Sequence, residues 1–274
     1  MHGTRHVKFH CSNALNNLTI EGGTTMKSKK RLLGAVMAVV FMLSIGLSGT
    51  VHAQHGGDAS MEMHHLHQLM NHGLEMVAEG SNMVMLAEMK MAPSIDPMTL
   101  EHGRHMIKSG KEVIEHALKG PEMQAMHTAG HGDAPLMKYT HELGNAMMDI
   151  ATMFEKMSME GPMSDDMMTM HHMHIMINHA LEMAAQGSNM VMMGQMGMAK
   201  GIDTYTTEHG KMMLSDARAV LTEVMTGKAM MDMHQKGITG GNAMMADTHK
   251  IGDAAKKVID LLDKMASAEP MKMK

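Results

Sequence analysis

Two stretches of this chain concentrate side chains able to hold a metal ion. Met61 to Met91 reads MEMHHLHQLMNHGLEMVAEGSNMVMLAEMKM, and Met168 to Met198 reads MTMHHMHIMINHALEMAAQGSNMVMMGQMGM, 107 residues further on. From Met63 to Met91, aligned without a gap, 18 of 29 positions are identical. Imidazole nitrogen and thioether sulfur are the neutral side-chain donors available to a soft ion. On a helix, residues three and four apart share a face. Met61, His65, Leu69, His72, Met76, Glu79 and Met83 then form one stripe. Met168, His172, Met176, His179, Met183, Gln186 and Met190 form its counterpart. Adjoining lines add His64, Asn71, Glu75, Asn82 and His67, with His171 and His174 at matching places in the second stretch. Glu75 and Glu182 are placed to orient an imidazole through its second nitrogen.

The softness of these donors selects the ion. Thioether favours Cu(I), or the similar Ag(I), over Zn, Ni, Mg and Ca, and imidazole extends the range to Cu(II). A methionine stripe is ordinarily core, because Met is a flexible hydrophobe that fills gaps. Leu packs at least as well and specifies a fold better, yet Met occupies roughly a fifth of the chain after residue 53. Four imidazoles within nine residues also do not suit a purely apolar seam. The stripe is therefore read as the inner side of its helix, with a soft ion resting there. A carboxylate di-iron site needs Glu-x-x-His pairs on facing helices. Glu62-x-x-His65 occurs once, and Thr169 replaces the Glu in the second stretch. A haem held by His and Met needs one or two ligands rather than dozens.

A second helix adds His102, His105 and Met106, and later His209, Met212 and Met213, with His116 on a wet face. The candidate metal ligands are thus Met61, His64, His65, His67, His72, Met76, Met83, His102, His105, Met106, Met168, His171, His172, His174, Met176, His179, Met183, Met190, His209 and Met213. His141 and His249 match near the start of a third helix and are candidates to point at the same cluster.

The elements that must position these groups are helices throughout. Helix formers dominate, aromatics are 2% and β-formers are scattered, so the fold class is all-α. The chain reads as a tandem duplication of a three-helix unit, residues 61–160 and 167–265, joined by a linker at 161–166. Within the first unit, helices are expected over about Met61–Met91, Pro97–Lys119 and Pro135–Met159. Asp96 is read as a cap, Pro97 as a first helical residue, and Gly120-Pro121 as a stop. Glu122 to Ala134 reads as a glycine-rich loop carrying Met123, Met126, His127 and His131; the second copy keeps Met230, Met233 and His234. Leu136, Thr140, Leu143, Met147, Ile150, Phe154 and Met157 form a core seam of alternating four and three. Gly80 and Gly187 lie inside the first helix of each unit, where glycine costs about 1 kcal/mol; a kink and a close helix approach both fit. One six-helix bundle and two separate bundles remain open.

The ends bound where such a protein works. Met26, followed by Lys27, Lys29, Lys30 and Arg31, an apolar run to Leu47 and Val51-His52-Ala53, reads as a signal peptide over 26–53. Residues 1–25 read as an extension upstream of the true start. Residues 54–60 form a flexible lead and 266–274 a disordered tail. After cleavage, His55 stands second from a free amine that could join it around Cu(II). The mature chain carries 18 Lys+Arg against 28 Asp+Glu, a net of −10. It has no cysteine, because Cys11 is upstream. Acidity argues against nucleic acid, and the missing thiols remove disulfide, zinc-finger and iron–sulfur readings. The expected location is periplasmic, with no membrane association after cleavage.

MNHGLEMVAEGSNM and MINHALEMAAQGSNM resemble Met/His-rich helical proteins that bacteria export for copper handling. Met176-Ile177-Asn178-His179 followed by Leu181-Glu182-Met183-Ala184 is similar to the DUF305 group, whose motif is Met-Ile-x-His-His and then Ala-Ile-x-Met-Ala. The resemblance covers one helix per repeat and implies a helical bundle with a periplasmic metal role. The expected function is copper(I) binding for buffering, storage or resistance, without catalysis. Copper is its cofactor, and a periplasmic copper exporter or chaperone is its expected partner. The alternatives are a Met-rich oxidant-scavenging or structural protein, and a haem- or copper-containing oxidoreductase.

Overall fold

The computed structural model describes residues 59–90, 93–132, 135–157, 164–240 and 242–267. The leader at 26–53, the extension before it, most of the lead with His55, Met91, half of the linker and most of the tail lie outside the described residues.

All regular structure among the described residues is helical: α1 (Ala59–Glu88), α2 (Asp96–Lys119), α3 (Pro121–Thr128), α4 (Pro135–Lys156), α5 (Asp165–Gln195), α6 (Asp203–Thr226), α7 (Lys228–Gln235) and α8 (Ala243–Ser267). Six are long, and α3 and α7 have eight residues each. None is long and apolar enough to cross a membrane.

Local signals explain several ends. The Ser164 hydroxyl accepts from the Met167 backbone N–H at 3.2 Å and caps α5. The Asn242 side chain does the same for Met245 at 3.2 Å, opening α8. Gly120 ends α2, as expected, but Pro121 immediately starts α3, because a proline needs no partner for the N–H it lacks at a first turn. The segment read as a glycine-rich loop is therefore partly helix, and its Met123 and Met126 are buried. Asp96 does not cap α2. Ile95 holds that position, with no side-chain cap. Asp203, its counterpart, instead accepts from the Ala199 backbone N–H at 2.8 Å.

The helices pack as one bundle. α1 touches α2, α4 and α5; α5 touches α6, α8 and α1; α4 touches α8. The seam read on the third helix is core: Thr140, Leu143, Met147, Ile150 and Phe154 are buried, as are Thr248, Ile251, Ala255, Val258, Leu262 and Met265 on α8.

Gly80 and Gly187 mark close approach, not breaks, since α1 and α5 run unbroken through them. A Cβ at Gly80 would stand 2.6 Å from the Gly103 carbonyl oxygen, and a Cβ at Gly103 would stand 2.6 Å from that of Gly80. Gly73 and Gly110 repeat the contact at 2.7 and 2.5 Å, and Gly187 and Gly210 do so between α5 and α6. No side chain fits between these backbones.

α1 and α5 cross antiparallel, held by reciprocal amide pairs. Asn71 Nδ2 donates to Asn189 Oδ1 at 2.7 Å, and Asn178 Nδ2 donates to Asn82 Oδ1 at 2.8 Å. This register sets His64 level with Met196, and His171 level with Met89.

Candidate metal centre

The α1 contacts fix which way each side chain of that helix points. Gly73 and Gly80 face α2, and Asn71 and Asn82 face α5. The buried Met63, His67, Met70 and Leu74 lie on the α4 side, where His67 meets Thr140. The remaining face belongs to the stripe of Met61, His65, Leu69, His72, Met76, Glu79 and Met83. Most of it faces away from the core, with Leu69 packed against the core's edge. Met61 is 49% exposed, His65 and His72 are exposed, and Met76 and Met83 are half-buried. The inner side expected for this stripe is thus corrected to the outer seam between α1 and α2. The reason is composition: with so few aromatic and branched residues, Met lies on both faces, so apolar periodicity does not mark the inside.

The second stretch behaves alike. His172, His179 and Met176 are exposed, while Met168, Met183, Met190, His209 and Met213 are half-buried. His172 and Met176 share a shallow pocket with Met173, Val220 and Glu223. On α2, His102 and His105 are exposed and Met106 is half-buried beside Gly80. His105 is 3.4 Å from the Ser109 hydroxyl, and His209 stacks on Tyr205 with centroids 5.7 Å apart. The Glu75 carboxylate, 3.9 Å from the ring, raises the His72 pKa above its usual value. Among the described residues no group of three or more His, Cys, Asp or Glu converges on one point. Among the described residues, a site built from three or more side-chain donors would therefore have to draw on groups beyond these four residue types, and the thioethers are the soft ones at hand.

Four of the proposed ligands do lie inside: His64, His67, His171 and His174 are all at most 5% exposed. His67 Nε2 is 2.7 Å from the Thr140 hydroxyl, and His174 Nε2 is 2.8 Å from that of Thr248. Each hydroxyl lies within 2.8–2.9 Å of a backbone carbonyl four residues back, on Leu136 and Met244. A carbonyl only accepts, so the hydroxyl proton goes there and the ring donates through Nε2. The Nδ1 lone pair is left over. On His174 that Nδ1 is buried without a partner, as are both ring nitrogens of His64 and of His171. Thr140 also approaches Met63 Sδ at 3.3 Å, placing a thioether beside the His67 ring.

Burial keeps these rings neutral. It lowers the His67 pKa to about 3, helped by the charge of His64, and that of His174 to about 4, helped by His171. Burial likewise lowers His64 and His171, with smaller contributions from His65 and His172. A neutral ring with a free lone pair is the metal-binding form, and it needs no proton stripped from it.

Sequence reasoning missed Thr140 and Thr248 as partners of the buried rings, although a hydroxyl at the same place in both core seams was the available signal. It also left His127 and His234 outside the ligand set. The chain matches no protein-family model, no curated protein and no solved structure.

Proposed function

We propose that this chain is an exported copper(I)-binding protein that buffers or stores the ion, or confers resistance to it, at two places at opposite ends of one bundle. The observation that carries this reading is the set of five buried ring nitrogens on His64, His171 and His174 that have no hydrogen-bond partner. A buried polar group left unpaired costs about 1–3 kcal/mol, and native cores rarely tolerate several without a ligand or water to meet them. The surroundings suit a soft ion. Met85 and Met89 are buried on the turn level with His171, and Met192 is buried one turn from the level of His64. Met63 lies beside His67 through Thr140. Imidazole and thioether in a water-poor site favour Cu(I) or Ag(I) over harder divalent ions.

The half-buried thioethers of the outer seams, Met76, Met83 and Met106 with Met183, Met190 and Met213, add shallow, lower-affinity positions to the same reading. Oxidant scavenging fits less well. It needs sulfur in water, whereas Met63, Met70, Met85, Met123, Met126, Met137 and Met147 are at most 1% exposed.

Anaerobic titration with Cu(I) against a competing chelator tests the proposal. We expect at least two equivalents held per chain. His64→Leu with His171→Leu removes unpaired nitrogens, so the metal-free protein should keep its helicity and gain or hold stability while losing its tightest sites. Fewer than two equivalents in the parent, or undiminished tight binding in the double variant, removes the interior assignment. His65, His72, Met76 and Met83 changed together to Leu should lower only the weaker capacity.

A further inference from the structure

A second kind of histidine arrangement lies on the surface. His127 near the end of α3 and His141 on α4 bring their Nε2 atoms to 2.9 Å, with rings stacked at 5.1 Å and 26°. His234 on α7 and His249 on α8 do the same at 3.2 Å, with 5.3 Å and 30°. In each pair the ring tips are closer than the ring centres, so the two rings lean together at their Nε2 ends. Around them the sequence changes: Gln124, Ala125 and Thr128 on α3 correspond to Met231, Asp232 and Gln235 on α7. The four imidazoles keep both identity and geometry. The Gly132 loop also closes on the first pair, since a Cβ there would stand 2.6 Å from His127 Nδ1.

We propose that His127–His141 and His234–His249 are two surface bis-imidazole sites for a divalent ion of Cu(II) type. The argument is one of bite. Metal–imidazole bonds are about 2.0–2.1 Å. Donors 2.9 and 3.2 Å apart then subtend roughly 90–100° at the ion. Cis positions of a square-planar or tetragonal ion need that angle, whereas a two-coordinate Cu(I) needs donors on opposite sides. The remaining positions open to water. No net proton is lost: the ring that donates through Nε2 takes its other tautomer, and the ion replaces the bridging proton. Without an ion, an exposed ring-to-ring hydrogen bond contributes little in water. Burial and the neighbouring His127 lower the His141 pKa, which keeps that ring neutral and available. The proposal does not rest on interior Cu(I) binding.

The full chain is titrated with Cu(II) in air and followed by electron paramagnetic resonance, beside His127→Ala/His234→Ala and a His116→Ala control. His116 is exposed and outside the ligand set, with its Nε2 4.0 Å from a Glu122 carboxylate oxygen. The double variant should lose about two equivalents of Cu(II) and the accompanying nitrogen hyperfine structure. The control should lose none, and anaerobic Cu(I) capacity should stay at the parent value. Unchanged Cu(II) uptake in the double variant, an equal loss in the control, or ready displacement by equimolar Zn(II) each overturns the proposal. A loss of Cu(I) capacity in the double variant overturns it too, because these rings would then belong to the interior sites. Two equivalents of Cu(II) beside no Cu(I) binding at all would sink the interior reading and leave this one standing.

Discussion

At the scale of single residues, the decisive contrast is between neighbours on α1. His64 and His67 are buried, while His65 between them is exposed. Buried neutral imidazoles make the protein acid-sensitive in a calculable direction. The unfolded rings take up protons near pH 6.5, but folded His67 and His174 do not until about 3 and 4. Between those limits the unfolded chain binds more protons, so stability falls as pH drops below about 6.5 and is fully present above it. Each pKa unit is worth about 1.4 kcal/mol, which makes the loss of order 3–5 kcal/mol per ring at the acid end. Urea midpoints for the metal-free protein should therefore decline from pH 7.5 to 4.5. His67→Gln with His174→Gln, which keeps a partner for each threonine, should flatten that decline. A parallel decline in the variant would show that other groups cause it. Residue identity was legible in the sequence, but orientation was not. His64 and His65 differ by one position, and the turn that buries the first exposes the second.

At the scale of elements, glycine sets the distance between helices. Gly80→Ala would gain roughly 1 kcal/mol in helix propensity, but its Cβ would meet a carbonyl oxygen at 2.6 Å. Backbone cannot move aside as a side-chain tip can, and overpacking of this kind costs about 1–3 kcal/mol or more. We expect a net loss of about 2 kcal/mol by denaturant unfolding for Gly80→Ala or Gly103→Ala. Gly240→Ala, with nothing within 4 Å, should be neutral and serves as the control. The presence of six long helices and the α4 seam could be read from periodicity. α3 and α7 could not: each has eight residues, too short to show a repeat, in a segment whose glycines read as loop. Close approach and kink remained equally open at Gly80, because the glycine that decides it, Gly103, lies on another helix.

At the scale of the whole molecule, the reciprocal amide pairs decide how the two long helices meet. Asn71 bonds Asn189 and Asn82 bonds Asn178, so double-mutant cycles should show coupling of about 0.5–3 kcal/mol within each pair and little between Asn71 and Asn178. Coupling of Asn71 with Asn178 instead would mean a parallel crossing. The sequence left one bundle or two undecided, because no short-range pattern records which polar residues find each other across 96 or 118 positions. The antiparallel crossing also has an effect on filling. It puts the His64 end and the His171 end some 25 residues apart along α1, about 37 Å at 1.5 Å per residue. Salt at cellular concentration screens a charge over about 8 Å. An ion at one extremity is then electrically invisible from the other, so the first occupant neither helps nor hinders the second, and filling of these two interior sites should show a Hill coefficient no higher than about 1.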